Sequence, residues 1–327
     1  MKKEVLEVLK SNKNKFISGE QLSNRLGVTR TSIWKYVNIL KKEGYRIESI
    51  SRKGYKLIEE PDILSKDELL IELKEEKLGN NIYYFETIDS TNNYAKRLAL
   101  EGAVEGTIVF SEKQTGGRGR LGRMWSSLPG TSISMSIILR PTIHPNEAPK
   151  ITEISAAATA EAITKVTNLQ VGIKWPNDII LNNKKVCGIL TEMSAELNNI
   201  NYVIVGIGVN VNVDEFPEEI GNVATSIKKV LGSEVSRKDI VINMVKEFGD
   251  LYYDFINTGS LERTVDICKK RSVTLGKIVR VMNKKETIIA KAIDITKNGE
   301  LVIRKDNGET IKVISGEVSV RGIDSYV

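Results

Sequence analysis

The sequence predicts a multi-domain α+β protein, with a helical N-terminus ending in a hairpin, a mixed α/β centre and a small all-β C-terminus. Three observations carry that reading. The chain has 327 residues, and at about 150 residues per domain this gives two domains, or three if one is small. Hydrophobic periodicity changes twice, from helical spacing at the start, to strands interleaved with helices, to unbroken alternation after Arg271. Charge is also uneven: residues 1–60 hold 14 Lys/Arg against 7 Asp/Glu, and the remainder holds 34 against 35.

Composition excludes several classes. With 41% hydrophobic and 28% charged residues, the chain reads as globular. No apolar run approaches the ~18 residues of a membrane helix. The opening MKKEVLEVLKSNKNK lacks the apolar core of a signal peptide, so a cytoplasmic protein without membrane contact is expected. Cys187 and Cys268 are the only cysteines, which rules out a disulfide framework or a Cys-rich zinc site. His144 is the only histidine, and its setting in RPTIHPNEAP reads as a surface loop. An enzyme with this inventory works with Lys, Arg, Asp and backbone amides.

At the N-terminus, Val5, Leu6 and Leu9 mark one amphipathic helix, and Ser18 with Gln21 forms a capping box at the start of a second. Gly27 supplies a tight turn. Thr29 caps a third helix, whose apolar face is Ile33, Val37 and Leu40. Two short helices around a glycine turn form the helix-turn-helix pattern. Arg30, Thr31, Ser32 and Lys35 fall at the start and outer side of the third helix, where a recognition helix meets bases and phosphates. YRIESISRKGYKL then reads as a β-wing with Arg52 and Lys53 at its tip. A winged helix-turn-helix domain over residues 1–61 is expected, with DNA as its partner.

The central segment begins with ETIDSTNNYAKRLAL, a strand entering a helix that Ser90 and Thr91 can cap. GTIVFSEKQTGGRGRLGRMWSS leads from a strand into a loop crowded with glycine and arginine. Gly117-x-Gly119-x-x-Gly122 formally matches a dinucleotide fingerprint, but the β-branched TSISMSIILRP follows where that fold requires a helix. A redox repressor built on a nicotinamide-binding fold is therefore disfavoured. The loop still offers backbone amides with Arg118, Arg120 and Arg123, a nest for phosphate or carboxylate. An alanine-rich helix, ISAAATAEAITKV, precedes VGIKWPNDIILNNKKVCGILTEM, read as strand, turn and strand, and NYVIVGIGVNVN, a buried strand. Gly206 and Gly208 in that strand signal close backbone approach.

The order DSTN, GGRGRLGRMW, KWPNDI, KKVCGIL and VGIGVNVN after a winged helix resembles the bifunctional biotin–protein ligases that double as biotin operon repressors. The resemblance spans essentially the whole chain. It implies a class II synthetase-like ligase domain at 62–270 and a small SH3-like β-barrel at 271–327. It also implies formation of biotinyl-5′-AMP from biotin and ATP with Mg²⁺, then transfer of biotin to a lysine of a carboxyl carrier domain.

By the same resemblance, Ser90, Thr91, Asn92 and Gln114 line the biotin head pocket, and Arg118, Gly119 and Arg120 close over it, with Arg120 retaining the adenylate. Lys185 bridges the biotin carboxylate and the α-phosphate, and Trp125 packs under the loop. Arg123, Lys174, Asn177, Asn210, Phe216 and Arg321 join Arg120 as expected ATP contacts, and Asp178 is the expected Mg²⁺ ligand. Leu121 departs from relatives that carry a further arginine there, which makes this loop less cationic. The adenylate is expected to promote a homodimer that pairs two winged helices on operator DNA. A non-catalytic ligand-sensing repressor and a lipoate-type ligase are the alternatives.

Overall fold

The structure, a computed structural model, describes residues 1–282, 286–315, 319–322 and 326. Within the SGEVSVRG segment, residues 316–318 lie outside the described residues. The chain forms two compact units, Met1–Glu72 and Leu73–Val327.

The first unit contains α1 (Lys2–Ser11), α2 (Gly19–Leu26), α3 (Arg30–Lys42), the strands β1 (Arg46–Ile50) and β2 (Gly54–Glu59), and α4 (Lys66–Glu72). The capping box forms as the sequence predicts: Ser18 accepts from the Gln21 amide, and the Gln21 side chain accepts from the Ser18 amide. Gly27 ends α2 in the left-handed conformation, and Thr29 caps α3. Val5, Leu9, Leu22, Ile33, Val37, Leu40 and Leu57 bury one another in the core. β1 and β2 pair antiparallel, with Arg52 at positive φ in the turn between them. This unit runs past the acidic stretch at Glu59–Asp62, because α4 belongs to it. The buried carboxylate of Glu68 on α4 accepts from Lys10 of α1 and from the Tyr45 hydroxyl.

In the second unit, a seven-stranded mixed sheet has the order β3-β4-β5-β9-β8-β7-β6. β3 (Ile82–Ile88) leads into α5 (Thr91–Leu100) and then β4 (Ile108–Gln114), which is parallel to β3. β5 (Ser132–Leu139) follows the arginine-rich loop directly, so no helix succeeds the glycines. α6 (Ala148–Thr167), the alanine-rich helix, packs on the sheet and against the later α9, and small side chains permit that close burial. β6 (Gly172–Lys174), β7 (Asp178–Leu181), β8 (Lys184–Glu196) and β9 (Asn199–Asn210) complete the sheet. Asn182 and Asn183 both take positive φ between β7 and β8, a backbone that asparagine tolerates better than most residues. α7 (Glu218–Gly221), α8 (Ile227–Leu231), α9 (Arg237–Thr258) and α10 (Glu262–Lys270) follow.

The C-terminal strands β10 (Ile278–Met282), β11 (Thr287–Ile295), β12 (Leu301–Arg304), β13 (Thr310–Val313) and β14 (Ser319–Gly322) form a five-stranded antiparallel sheet, ordered β13-β12-β11-β10-β14. Gly299 and Gly308 take positive φ in its two Asn-Gly turns. This sheet is fastened to the seven-stranded sheet beside the KWPND turn: Trp175 donates its amide to Thr274 and its indole N–H to the Gly299 carbonyl.

Candidate active site

One cavity of the second unit gathers residues from strand ends and loops far apart in sequence. At one end, Ser90 caps α5, and the amide and hydroxyl of Thr91 both donate to Gln114 Oε1 at 2.8 and 3.1 Å. Ser136 Oγ on β5 lies 2.8 Å from Thr91 Oγ1 and 2.6 Å from Asn92 Oδ1. Asn92 Nδ2 in turn donates to Glu192 Oε2 at 2.7 Å, and Glu192 also pairs with Lys96. Both ends of the Asn92 amide are therefore assigned partners, which fixes its orientation.

The middle strand explains two glycines. A Cβ on Gly206 would stand 2.2 Å from Asn92 Oδ1, and one on Gly208 would stand 2.3 Å from the Trp125 indole. The close approach signalled by VGIGVN is thus a floor on which Asn92 and Trp125 lie. The loop above it folds on itself: Gly119 donates to Arg123 O, Trp125 donates to Gly117 O, and Arg118 bridges Met124. Arg118 and Arg123 are exposed and carry no ion pair among the described residues. Arg120 reaches inward, its Nη1 donating to Asn177 Oδ1 at 2.6 Å.

At the far end, cations surround a single buried carboxylate. Asp178 Oδ1 pairs with Lys185 Nζ at 2.5 Å and accepts from Asn177 Nδ2, while Oδ2 accepts from the Tyr326 hydroxyl. Burial opposes ionisation of Asp178, but Lys185 and the Tyr326 hydrogen bond outweigh it and hold the carboxyl below its ordinary range. Lys174 is buried, and its pKa falls to about 8. Desolvation is the chief cause, and Lys185, Arg321 and Arg123 push the same way against Asp178. A buried ammonium with Lys185, Arg123 and Arg321 near it and one carboxylate among them suits this end of the cavity to an anion.

The three segments read from the sequence match family models in order: "HTH domain" at 2–56, "Biotin/lipoate A/B protein ligase family" at 84–210, and "Biotin protein ligase C terminal domain" at 274–321. The bifunctional ligase/repressor BirA of Bacillus subtilis is 37% identical over 98% of both chains. The chain belongs to the biotin protein ligase family. BirA of Escherichia coli is 27% identical to this ligase over 94% of each chain. The biotin protein ligase of Aquifex aeolicus, solved in complex with biotin and ATP, superposes with a TM-score of 0.66 at 30% identity. That likeness covers 74% of this ligase and 99% of the Aquifex chain.

The cavity of this ligase is lined by every residue that the sequence put forward for biotin, ATP or metal: Ser90, Thr91, Asn92, Gln114, Arg118, Gly119, Arg120, Arg123, Trp125, Lys174, Asn177, Asp178, Lys185, Asn210, Phe216 and Arg321. Asn210 is buried and donates to the Thr225 carbonyl, Phe216 is half-buried, and Arg321 is exposed on β14 opposite Arg280. Sequence reasoning missed Ser136, Glu192 and Tyr326. None of the three belongs to a motif, and only strand register or chain return brings them to the site.

On the first unit, Thr31 and Lys35 are exposed on α3, and Arg30 forms an exposed ion pair with Glu20. The Ser32 side chain is engaged with Thr29 in the helix cap. Trp34, 59% exposed, shares the outer face with Thr31 and Lys35 and was also missed. Arg52 and Lys53 sit at the wing turn, with the Lys53 amide bonded to Ile50 O. No helix among the described residues is long and apolar enough to cross a membrane.

Proposed function

We propose that this chain makes biotinyl-5′-AMP from biotin and ATP, transfers biotin to a lysine of a biotin carboxyl carrier domain, and represses transcription in response to biotin. The observation that carries the reading is the single cavity in which a neutral hydrogen-bonding end faces a cationic end across Trp125. The neutral end suits an uncharged ureido head, and the cationic end suits a carboxylate meeting a triphosphate.

The chemistry needs no protein nucleophile. A biotin carboxylate oxygen attacks the α-phosphorus and pyrophosphate leaves. The carrier lysine amine then attacks the acyl carbonyl and AMP leaves. The enzyme aligns the reactants and neutralises the negative charge that builds on the phosphate. Lys185, held ready by Asp178, faces the carboxylate and α-phosphate. Arg118 and Arg120 close the loop over the acyl group, and Arg120, tied to Asn177, retains the adenylate. Ser90, Thr91, Asn92 and Gln114 hold the biotin head, Gly119 closes over it with the arginine loop, and Trp125 packs under that loop. Arg123, Lys174 and Arg321 meet the phosphates, while Asn177, Asn210 and Phe216 contact the nucleoside.

Asp178 would hold Mg²⁺. The fit rests on its being a buried, ionised oxygen donor inside the cavity, and Mg²⁺ commonly uses one or two carboxylates together with phosphates. When bound, Mg²⁺ would supply charge neutralisation to the phosphates.

Incubation with labelled biotin, ATP, Mg²⁺ and a carrier domain tests the reading. Pyrophosphate release and a biotinylated carrier lysine are expected, with no label from lipoate. Biotin binding without pyrophosphate would instead mark a sensor.

A further inference from the structure

We infer that Tyr326 is a positioning residue of the nucleotide half of the site, fixing Lys174 and Asp178 in the arrangement that receives the phosphates. The inference rests on the assignment of those two residues to ATP and its metal. The Tyr326 hydroxyl donates to Asp178 Oδ2 at 2.6 Å. Lys174 Nζ donates to the Tyr326 carbonyl and lies 3.6 Å from the centroid of its ring. One residue therefore holds the last residue of β6 and the first of β7, on either side of the Trp175–Asn177 turn.

The two oxygens of Asp178 have a division of labour. Oδ1 takes Lys185 and Asn177, and Oδ2 takes the phenol. The phenol is the contact that belongs to neither neighbouring motif. For Lys174, the carbonyl and ring restrain a side chain that otherwise carries large rotamer entropy. An incoming nucleotide then need not supply that ordering from its own binding energy. The partner's neutrality matters as well. A carboxylate in place of Tyr326 would neutralise Lys174, whereas a carbonyl and an aromatic face orient the ammonium and leave its charge available to phosphate.

Steady-state pyrophosphate release by the full chain, with biotin, ATP and Mg²⁺ varied separately, tests this. Tyr326→Ala removes ring and hydroxyl. It should raise the KM for ATP about ten-fold, the order expected for losing a charge-assisted hydrogen bond together with a cation–π contact. The KM for biotin and the melting temperature should stay unchanged. Tyr326→Phe keeps the ring over Lys174 and should recover part of the loss. A lowered KM for ATP in either variant would overturn the inference, because Tyr326 would then be a plug that nucleotide must displace. An unchanged KM for ATP would overturn it too, as would equal losses for ATP and biotin. Lys174→Ala separates the two levels: if it raises the KM for ATP while both Tyr326 variants are silent, only the positioning role fails. If all three are silent, the assignment of the nucleotide half fails with it.

Discussion

Lys185 and Asp178 stand 2.5 Å apart, and Lys185 is also 5.9 Å from the centroid of the Trp125 ring. Held this way, Lys185 sets its Nζ where, in the proposed reaction, the α-phosphate would gather negative charge. Lys185→Ala should lower single-turnover adenylate formation by about a hundred-fold or more, the range seen when one transition-state donor is removed. A rate within a few-fold of the parent would place the reacting centre elsewhere. A second residue away from the site speaks to stability. Glu153 on α6 is 3% exposed, its Oε2 has no hydrogen-bond partner among the described residues, and burial raises its pKa well above the ordinary carboxylate value. Between its unfolded and folded pKa values the native state holds the extra proton, so this group's contribution to stability declines as pH rises through that window. Glu153→Gln removes the dependence. It should add on the order of 1 kcal/mol near pH 8, roughly 2–4 °C in Tm, and little near pH 4; a gain that did not grow with pH would contradict the assignment. At this scale the motifs told which residues meet in one cavity, as Lys185, Arg120 and Asp178 do. The sequence was silent on Ser136 and Glu192, whose partners are met only once the sheet has formed, and on Glu153, which packing buries.

Helix α3 shows what can be read of an element and what cannot. Its cap, its buried face of Ile33, Val37 and Leu40, and the wing that follows were all legible, because capping chemistry and apolar spacing are local. Trp34 carries no local signal of its own in the sequence, and its exposure beside Lys35 is what sets it apart. On operator DNA the two should differ. Lys35→Ala should weaken binding to all sequences and reduce the log–log salt slope by about one. Trp34→Ala should leave the slope unchanged and blur discrimination among operator variants, since an apolar side chain reads bases and not phosphates. Equal effects of both substitutions on the slope would refute that division. For β3 to β9, strand existence was legible from alternation, but the order β3-β4-β5-β9-β8-β7-β6 was not, because pairing partners lie far apart along the chain. The composition break at Glu59–Asp62 likewise concealed α4, which is tied to the first unit by the Lys10–Glu68 ion pair rather than by any local signal.

For the whole molecule, the basic first unit and the ligase unit serve one circuit only if ligand in the second alters DNA binding by the first. Such coupling requires the adenylate to bind the DNA-competent state better than the state that does not bind DNA. Operator affinity of the full chain should therefore rise when biotin and ATP are added together, and rise less with either alone. Indifference to both would leave the ligase intact and remove the regulatory half. The three tryptophans offer a way to watch each part separately. Trp34 faces solvent on α3, while Trp175 is buried with its indole N–H bonded to Gly299. Trp125 lies half-buried on Gly208 and Gly188, and its buried Nε1 has no hydrogen-bond partner among the described residues. An indole laid on bare glycine backbone has an emission that responds to what comes to rest against its open face. Biotin should shift the fluorescence of a Trp34→Phe chain through Trp125, and DNA should quench the parent through Trp34. The glycines that make room for the floor of the site have thereby given the protein its own optical gauge of occupancy.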